Sequence, residues 1–199
     1  PDDALLVFNV NEQRDYLSAK AYRSVLKFVA EAIGRGFDVA LGFNIWRVDI
    51  DPTFMPRLAA DLGRPGFRWA LANPIWGVSG SVPRPEEFPD VAGTCMKLLH
   101  EATARSLVCS LDCHLPSCFL TSADLAWIAQ YQPGTIAHIG SCQAPIDVTP
   151  ELEAFRCFAT SPLGRVKVTD FENESELRKY FAGLDVDLIA SPGIYSACN

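Results

Sequence analysis

Apolar and polar positions along this chain alternate between two periods. Four short runs are nearly continuous in apolar residues: ALLVFNV (4–10), DVALGFN (38–44), FRWALAN (67–73) and LVCSLDC (107–113). Their length and their content of Val, Phe, Leu and Trp predict strands. Between them the period becomes helical. Tyr22, Val25, Leu26, Val29 and Ile33 share one face, with Lys20, Ser24, Lys27 and Glu31 opposite. Gly34 and Gly36 supply the stop. Asp51 and Pro52 have the form of an N-cap and a first-turn proline for a helix through Leu62, ended by Gly63. A further helix is expected from Glu86 to Arg105, with Pro89 delaying its regular start.

Strand followed by helix, repeated, predicts an α/β fold of parallel strands with right-handed crossovers. An open doubly wound sheet and a segment of a β/α barrel both fit this pattern. In either, the carboxyl ends of the strands carry the site. Asn9, Asn44, Asn73, Asp112 and Cys113 fall at those ends. Asparagine is also a common turn and cap residue, so their recurrence carries more weight than any one of them.

From Thr121 the pattern changes. Thr121 and Asp124 have capping-box form and open a short helix, ADLAWIAQYQ. After Pro133–Gly134 the repeating units stop, which divides the chain into residues 1–134 and a small irregular α+β appendage, 135–199. Within the appendage, QAPIDVTPELEAFRCF reads as a β-hairpin turning around Pro150–Glu151. GRVKVTDF then leads into a helix that Asn173 caps, with Glu176 reaching back, and that ends near Phe181.

The chain of 199 residues is 49% hydrophobic and 21% charged, a soluble globular balance with enough apolar material for a core that needs no disulfides. Its net charge is −7 and its basic residues are scattered, which argues against nucleic acid as a main partner. The apolar runs are of strand length, so no membrane span is expected. No charged-then-apolar leader stands at the start, and a reducing cytoplasm is the expected compartment. There, cysteines are ligands or redox groups more often than bridges. The start at Pro1, directly before a strand, and the end just after Cys198 suggest a part of a longer protein.

The seven cysteines are Cys95, Cys109, Cys113, Cys118, Cys142, Cys157 and Cys198. Cys95, among Met96, Leu98 and Leu99 of a helix, and Cys109, inside a strand, are expected to pack as small hydrophobes. Cys109-SLD-Cys113-HLPS-Cys118 is not a CxxxCxxC motif, because its second spacing is too long. Cys113 and Cys118 stand between two readings, as metal ligands or as lining of the site. His114, between them, is the one histidine placed to be a ligand; His100 and His138 are isolated. The four tryptophans, Trp46, Trp69, Trp76 and Trp127, suggest core and rim packing, with Trp76 in a Gly-rich loop able to meet a substrate.

The segment Cys142-QAPIDVTPELEAFR-Cys157-F, then FENESELRKYF, then GIYSAC, resembles the SPASM extension of radical S-adenosylmethionine enzymes. Proline, an acidic residue, an aromatic residue and the cysteine of that family's hairpin fall in register, whereas Leu152 stands where the family has glycine. LDCHLPSCFLT is similar to the last barrel strand of some SPASM-bearing members, and the four β/α units to the later part of the superfamily's partial TIM-like barrel. The resemblance implies four-iron clusters held by thiolates, with Cys142 and Cys157 as hairpin ligands, Cys198 as the first of a cysteine tail, and Cys113 and Cys118 as further candidates. It also implies S-adenosylmethionine bound at strand ends, with Asn44 and Asn73 as polar contacts. A peptide or protein side chain is the implied substrate, and a reductant protein the implied partner. The CxxxCxxC loop that would hold the catalytic cluster is absent from these 199 residues, so this stretch alone is expected to be inactive. Without the family, the same residues allow a non-catalytic β/α binding domain with a structural zinc site or uncommitted thiols.

Overall fold

The computed structural model describes residues 5–72, 83–113, 115–140, 146–157, 161–162 and 164–189. The chain divides into two compact units, one of residues 1–72 with 82–142 and one of residues 73–81 with 143–199.

In the first unit four strands, β1 (Leu5–Asn9), β2 (Asp38–Ile45), β3 (Gly66–Leu71) and β4 (Val108–Leu111), form one parallel sheet in the order of the sequence. Helices α1 (Ala19–Gly34), α2 (Phe54–Asp61) and α3 (Phe88–Ala104) make the connections. The expected alternation of strand and helix is therefore present. One face of the sheet is the core: Val39, Leu41, Phe43 and Ile45 of β2, Phe67, Trp69 and Leu71 of β3, and Cys109 and Leu111 of β4 are buried. They pack with Val29 and Ala32 of α1, Met55 and Ala59 of α2, and Val91, Leu98, Leu99 and Ala102 of α3. Two details differ from expectation. Asp51 does not cap α2. Its carboxylate accepts from the Thr53 backbone N–H (2.9 Å), an Asx-type turn that places Thr53 at the N-cap. The run 107–113 gives a four-residue strand, although Asp112 N–H still donates to the Trp69 carbonyl (2.7 Å).

β4 is an edge strand, and side chains take the place of a fifth strand along it. Helix α4 (Ser122–Tyr131) opens with the expected capping box at Thr121 and Asp124 and leads into a single turn, α5 (Pro133–Ile136). Between them, buried Gln132 accepts from Cys109 N–H (2.8 Å) and donates to the Leu107 carbonyl (3.1 Å) and to Thr103 Oγ1 (2.8 Å). Thr135 Oγ1 donates to the Cys109 carbonyl (3.1 Å) and receives Trp69 Nε1–H (3.3 Å). The close approach fits glycine at 134, where a Cβ would lie 2.9 Å from the Cys109 carbonyl oxygen. Beyond β4, Leu115 forms a parallel bridge with Ile139.

In the second unit, β5 (Asp147–Val148) and β6 (Glu153–Phe155) make the expected hairpin, and β7 (Val166–Lys167) adds a third antiparallel strand. Leu152 closes the turn in the left-handed region, φ 59°. Helix α6 (Glu174–Ile189) starts where Asn173 Oδ1 accepts Glu176 N–H (3.1 Å), and Glu176 reaches back to Glu172 N–H (3.0 Å). It runs past the expected end at Phe181. Ala154, Leu177 and Phe181 form its core with Leu184 and Val166, and Arg156 holds Asp185 through its Nε (2.9 Å), so both the apolar face and an ion pair continue beyond Phe181.

Replacing Gln132 with Leu strands the Cys109 N–H and the Leu107 carbonyl, while the Thr103 hydroxyl keeps its bond to the Leu99 carbonyl (2.9 Å). At about 1–3 kcal/mol per buried group left unmet, with partial relaxation, a loss of about 3 kcal/mol is expected in urea unfolding. Leu152→Gly should act in the opposite sense and raise the unfolding free energy by roughly 1 kcal/mol, because a left-handed non-glycine residue costs about 1–2 kcal/mol.

Candidate functional site

The register aligns side chains in rows across the sheet face opposite the core. Asn9 pairs with Gly42, Gly42 with Arg68 and Arg68 with Ser110, giving one row at the carboxyl end. Asn44 pairs with Ala70 in the next row, and Asp112 follows directly after β4. Below them lie Val7, Ala40, Gly66 and Val108. In contrast to the core face, these alternate positions are exposed or half-buried, Gly42 excepted. Glycine at 42 makes room for Asn9, whose Oδ1 would collide with any Cβ there. Arg68 and Asp112 form an ion pair on this face. Sequence reasoning missed Arg68. Its signal was a single cation at an alternate position of an otherwise apolar strand, FRWALAN.

Asn44 sits half-buried in its row, and its backbone N–H donates to Asn11 Oδ1 (3.4 Å). Asn73, the other expected cofactor contact, lies outside the described residues, as does Trp76.

The loops after β1 and β2 are tied by charge. Arg47 bonds Glu12, reaches Asp15 (3.1 Å) and Asp49 (3.3 Å), and lies 4.8 Å above the Trp46 ring. Arg14 adds a bond to Asp49 (2.9 Å), and Asp51 N–H donates to Glu12 Oε1 (3.3 Å). Asp15 Oδ2 is buried with no hydrogen-bond partner among the described residues. Burial works to raise the Asp51 carboxyl, but hydrogen bonds from Thr53 and the Arg57 guanidinium outweigh it and hold the group below its ordinary value.

The cysteines separate by environment. Cys95 and Cys109 are buried, and desolvation pushes each thiol up to about 12. Both are packing groups at neutral pH. Cys113 is half-buried just beyond β4, and Cys118 is exposed in a 3-10 turn, Ser117–Phe119. Their loop is held from both sides. Leu115, Phe119 and Leu120 are buried, the Phe119 ring stacks on Phe88 at 3.9 Å, and Gly140 N–H donates to the Leu115 carbonyl (2.9 Å). Cys157 is half-buried after β6 in the second unit. Cys142, Cys198 and His114 lie outside the described residues. Among the described residues no group of three His, Cys, Asp or Glu side chains is arranged to hold a metal. The His100 ring packs tilted against Trp127 (4.0 Å), which lies beside Tyr131 (5.1 Å), an aromatic cluster between α3 and α4. No described helix is long and apolar enough to cross a membrane.

Scans of protein-family models, of curated proteins and of solved structures found no match to this chain.

Iodoacetamide should alkylate Cys118 in the native protein and leave Cys95 and Cys109 unmodified until denaturant is added, read by peptide mass spectrometry. The buried thiols also set an alkaline limit. Below pH 9.0 both folded and unfolded chains keep these protons; above it the unfolded chain ionises first, so stability falls until the folded thiols ionise near about 12. The slope approaches ~1.4 kcal/mol per pH unit for each thiol, and a Cys95→Ala/Cys109→Ala variant should show a shallower slope over that range.

Proposed function

We propose that this chain is the later part of a radical S-adenosylmethionine enzyme's partial β/α barrel, followed by a SPASM-type extension. The observation that carries the reading is the strand order. A doubly wound sheet reverses direction at a switch point, whereas β1-β2-β3-β4 advances without reversal, as a barrel wall does. Right-handed crossovers in one direction put every helix on one face, and the opposite face becomes a barrel's interior. Two further features support the reading. That face carries its amides and charges, Asn9, Asn44, Arg68 and Asp112, at the carboxyl end, where barrel sites lie. In the hairpin, Leu152 adopts the left-handed conformation at the position where the family has glycine.

In this reading the catalytic cluster loop belongs to a part of the polypeptide outside these 199 residues. An iron–sulfur cluster held there would supply the electron for reductive cleavage of S-adenosylmethionine, chemistry that would serve hydrogen abstraction from a peptide or protein side chain. The residues of this chain bind and orient. Asn44, with Asn73, hydrogen-bonds the cofactor, and Arg68 and Asp112 fix charged or polar groups beside it. Cys142, Cys157 and Cys198, with Cys113 and Cys118, are the thiolate donors for auxiliary metal. A reductant protein and a cytoplasmic setting complete the proposal.

The test is made on the intact polypeptide, reconstituted anaerobically with iron and sulfide and given dithionite and S-adenosylmethionine. Formation of 5′-deoxyadenosine is expected; its absence from a protein that retains zinc in place of iron overturns the reading and favours a structural zinc module. Asn44→Ala should raise the KM for S-adenosylmethionine about fivefold with kcat little changed, the effect of one hydrogen bond made equally in ground and transition states.

A further inference from the structure

The sheet face opposite the helices is mostly apolar or small, with Leu5, Val7, Ala40, Ala70 and Val108 at alternate positions. Parallel sheets are built to be covered on both faces, yet Leu5, Val7 and Val108 stand exposed. Against this surface Arg68 is the one cation among the described strand residues of that face. Asp112, 44 positions later in the chain, is its ion-pair partner.

The pair is not closed on itself. Arg68 bonds Asp112 Oδ1 through Nη2 alone, and Asp112 Oδ2 has no bonded partner among the described residues. A guanidinium has five N–H donors and two edges that can grip a carboxylate through parallel bonds, so one bond to Nη2 leaves such an edge whole. The two side chains are 40% and 37% exposed, within reach of a ligand. An amide extends the group. Asn9 Oδ1 lies over Gly42, 2.1 Å from where a Cβ would stand, and Gly42 is paired in register with Arg68. With strands about 4.8 Å apart, Asn9 reaches across β2 to about one strand spacing from Arg68. Asn44, beside Ala70 in the next row, adds a second amide.

Charge selects the ligand. A ligand of one sign is drawn to one member of the pair and repelled by the other at a similar distance, so it gains little. A ligand that brings both signs on neighbouring atoms satisfies both members. We propose that this cluster binds the zwitterionic head of a free α-amino acid. Arg68 grips the carboxylate, the Asn9 amide bonds the same group, and Asp112 Oδ2 accepts from the ammonium. The amino acid's side chain lies over the apolar floor of Val7 and Ala40. This ligand differs from the peptide or protein side chain that the family resemblance implies. The inference deepens the role given above to Arg68 and Asp112, and it is read from binding alone, so its failure and that of the enzyme reading are told apart.

The test is an NMR titration of the 15N-labelled 199-residue chain, without iron or cofactor, with free leucine, glutamate, glutamine and lysine in turn. At least one should shift the Arg68 Nε–H signal and the Asn9 side-chain amide saturably. Its N-acetyl derivative, which lacks the ammonium, and its amide, which lacks the carboxylate, should each bind about tenfold or more weakly. These probes need no variant to fold. Asp112→Asn should abolish the discrimination against the N-acetyl derivative, and Arg68→Met that against the amide; a merely structural role would weaken all three ligands together. The proposal is overturned if none of the free amino acids shifts these signals, or if either blocked derivative binds as tightly as its parent. It is also overturned if S-adenosylhomocysteine alone saturates the site, which would assign the pair to the cofactor. Formation of 5′-deoxyadenosine by the intact polypeptide enters neither result.

Discussion

Burial of one face of the parallel sheet is the constraint on which the rest of the first unit depends. Val39, Leu41, Phe43 and Ile45, with their neighbours on β3 and β4, place one row in two against the helices. Because strand side chains alternate strictly, that choice assigns every intervening residue to the opposite face. Asn9, Asn44, Arg68 and Asp112 are gathered there by register alone. A one-residue slip of any strand would send its polar group into the core and an apolar one out. The pressure that packs the core therefore also holds the polar face in place.

The elements with a local code were legible in the sequence. The capping box at Thr121 and Asp124 needs only its own four residues, and it formed as expected. Helix α1 announced itself through Tyr22, Val25, Leu26, Val29 and Ile33, and the first three strands through their apolar runs. What was not legible depends on distant partners. Lys167 and Val166 looked like a lead-in to a helix, and only pairing with Glu153 and Ala154 makes them a strand. The last helix was expected to end near Phe181, yet it continues to Ile189. Leu184 packs in the second core and Asp185 bonds Arg156, so tertiary contacts outweigh weak propensity. In the sequence Gln132 stood only as the last residue of the short helix ADLAWIAQYQ, yet it is among the most deeply buried polar side chains described.

The candidate site was legible in the same proportion. Residue type and strand position sufficed to single out Asn9, Asn44, Asp112 and Cys113, and to set Cys95 and Cys109 aside. Arg68 was not found, because its relevance lies in the ion pair with Asp112, 44 positions later. The bridge that brings Ile139 beside Leu115 was invisible for the same reason. No periodicity marks a contact of a single residue pair.

The way β4 is satisfied also bears on the order in which the chain can fold as it is made. Strands β1 to β4 can assemble as soon as Leu111 is free, but the outer groups of Leu107 and Cys109 wait for Gln132 and Thr135. At roughly 5–20 residues per second, that interval lasts on the order of a few seconds of synthesis. During it the nascent sheet presents an open strand edge next to exposed Val108. A pause in translation before Thr135 would lengthen this window, and one after it would not.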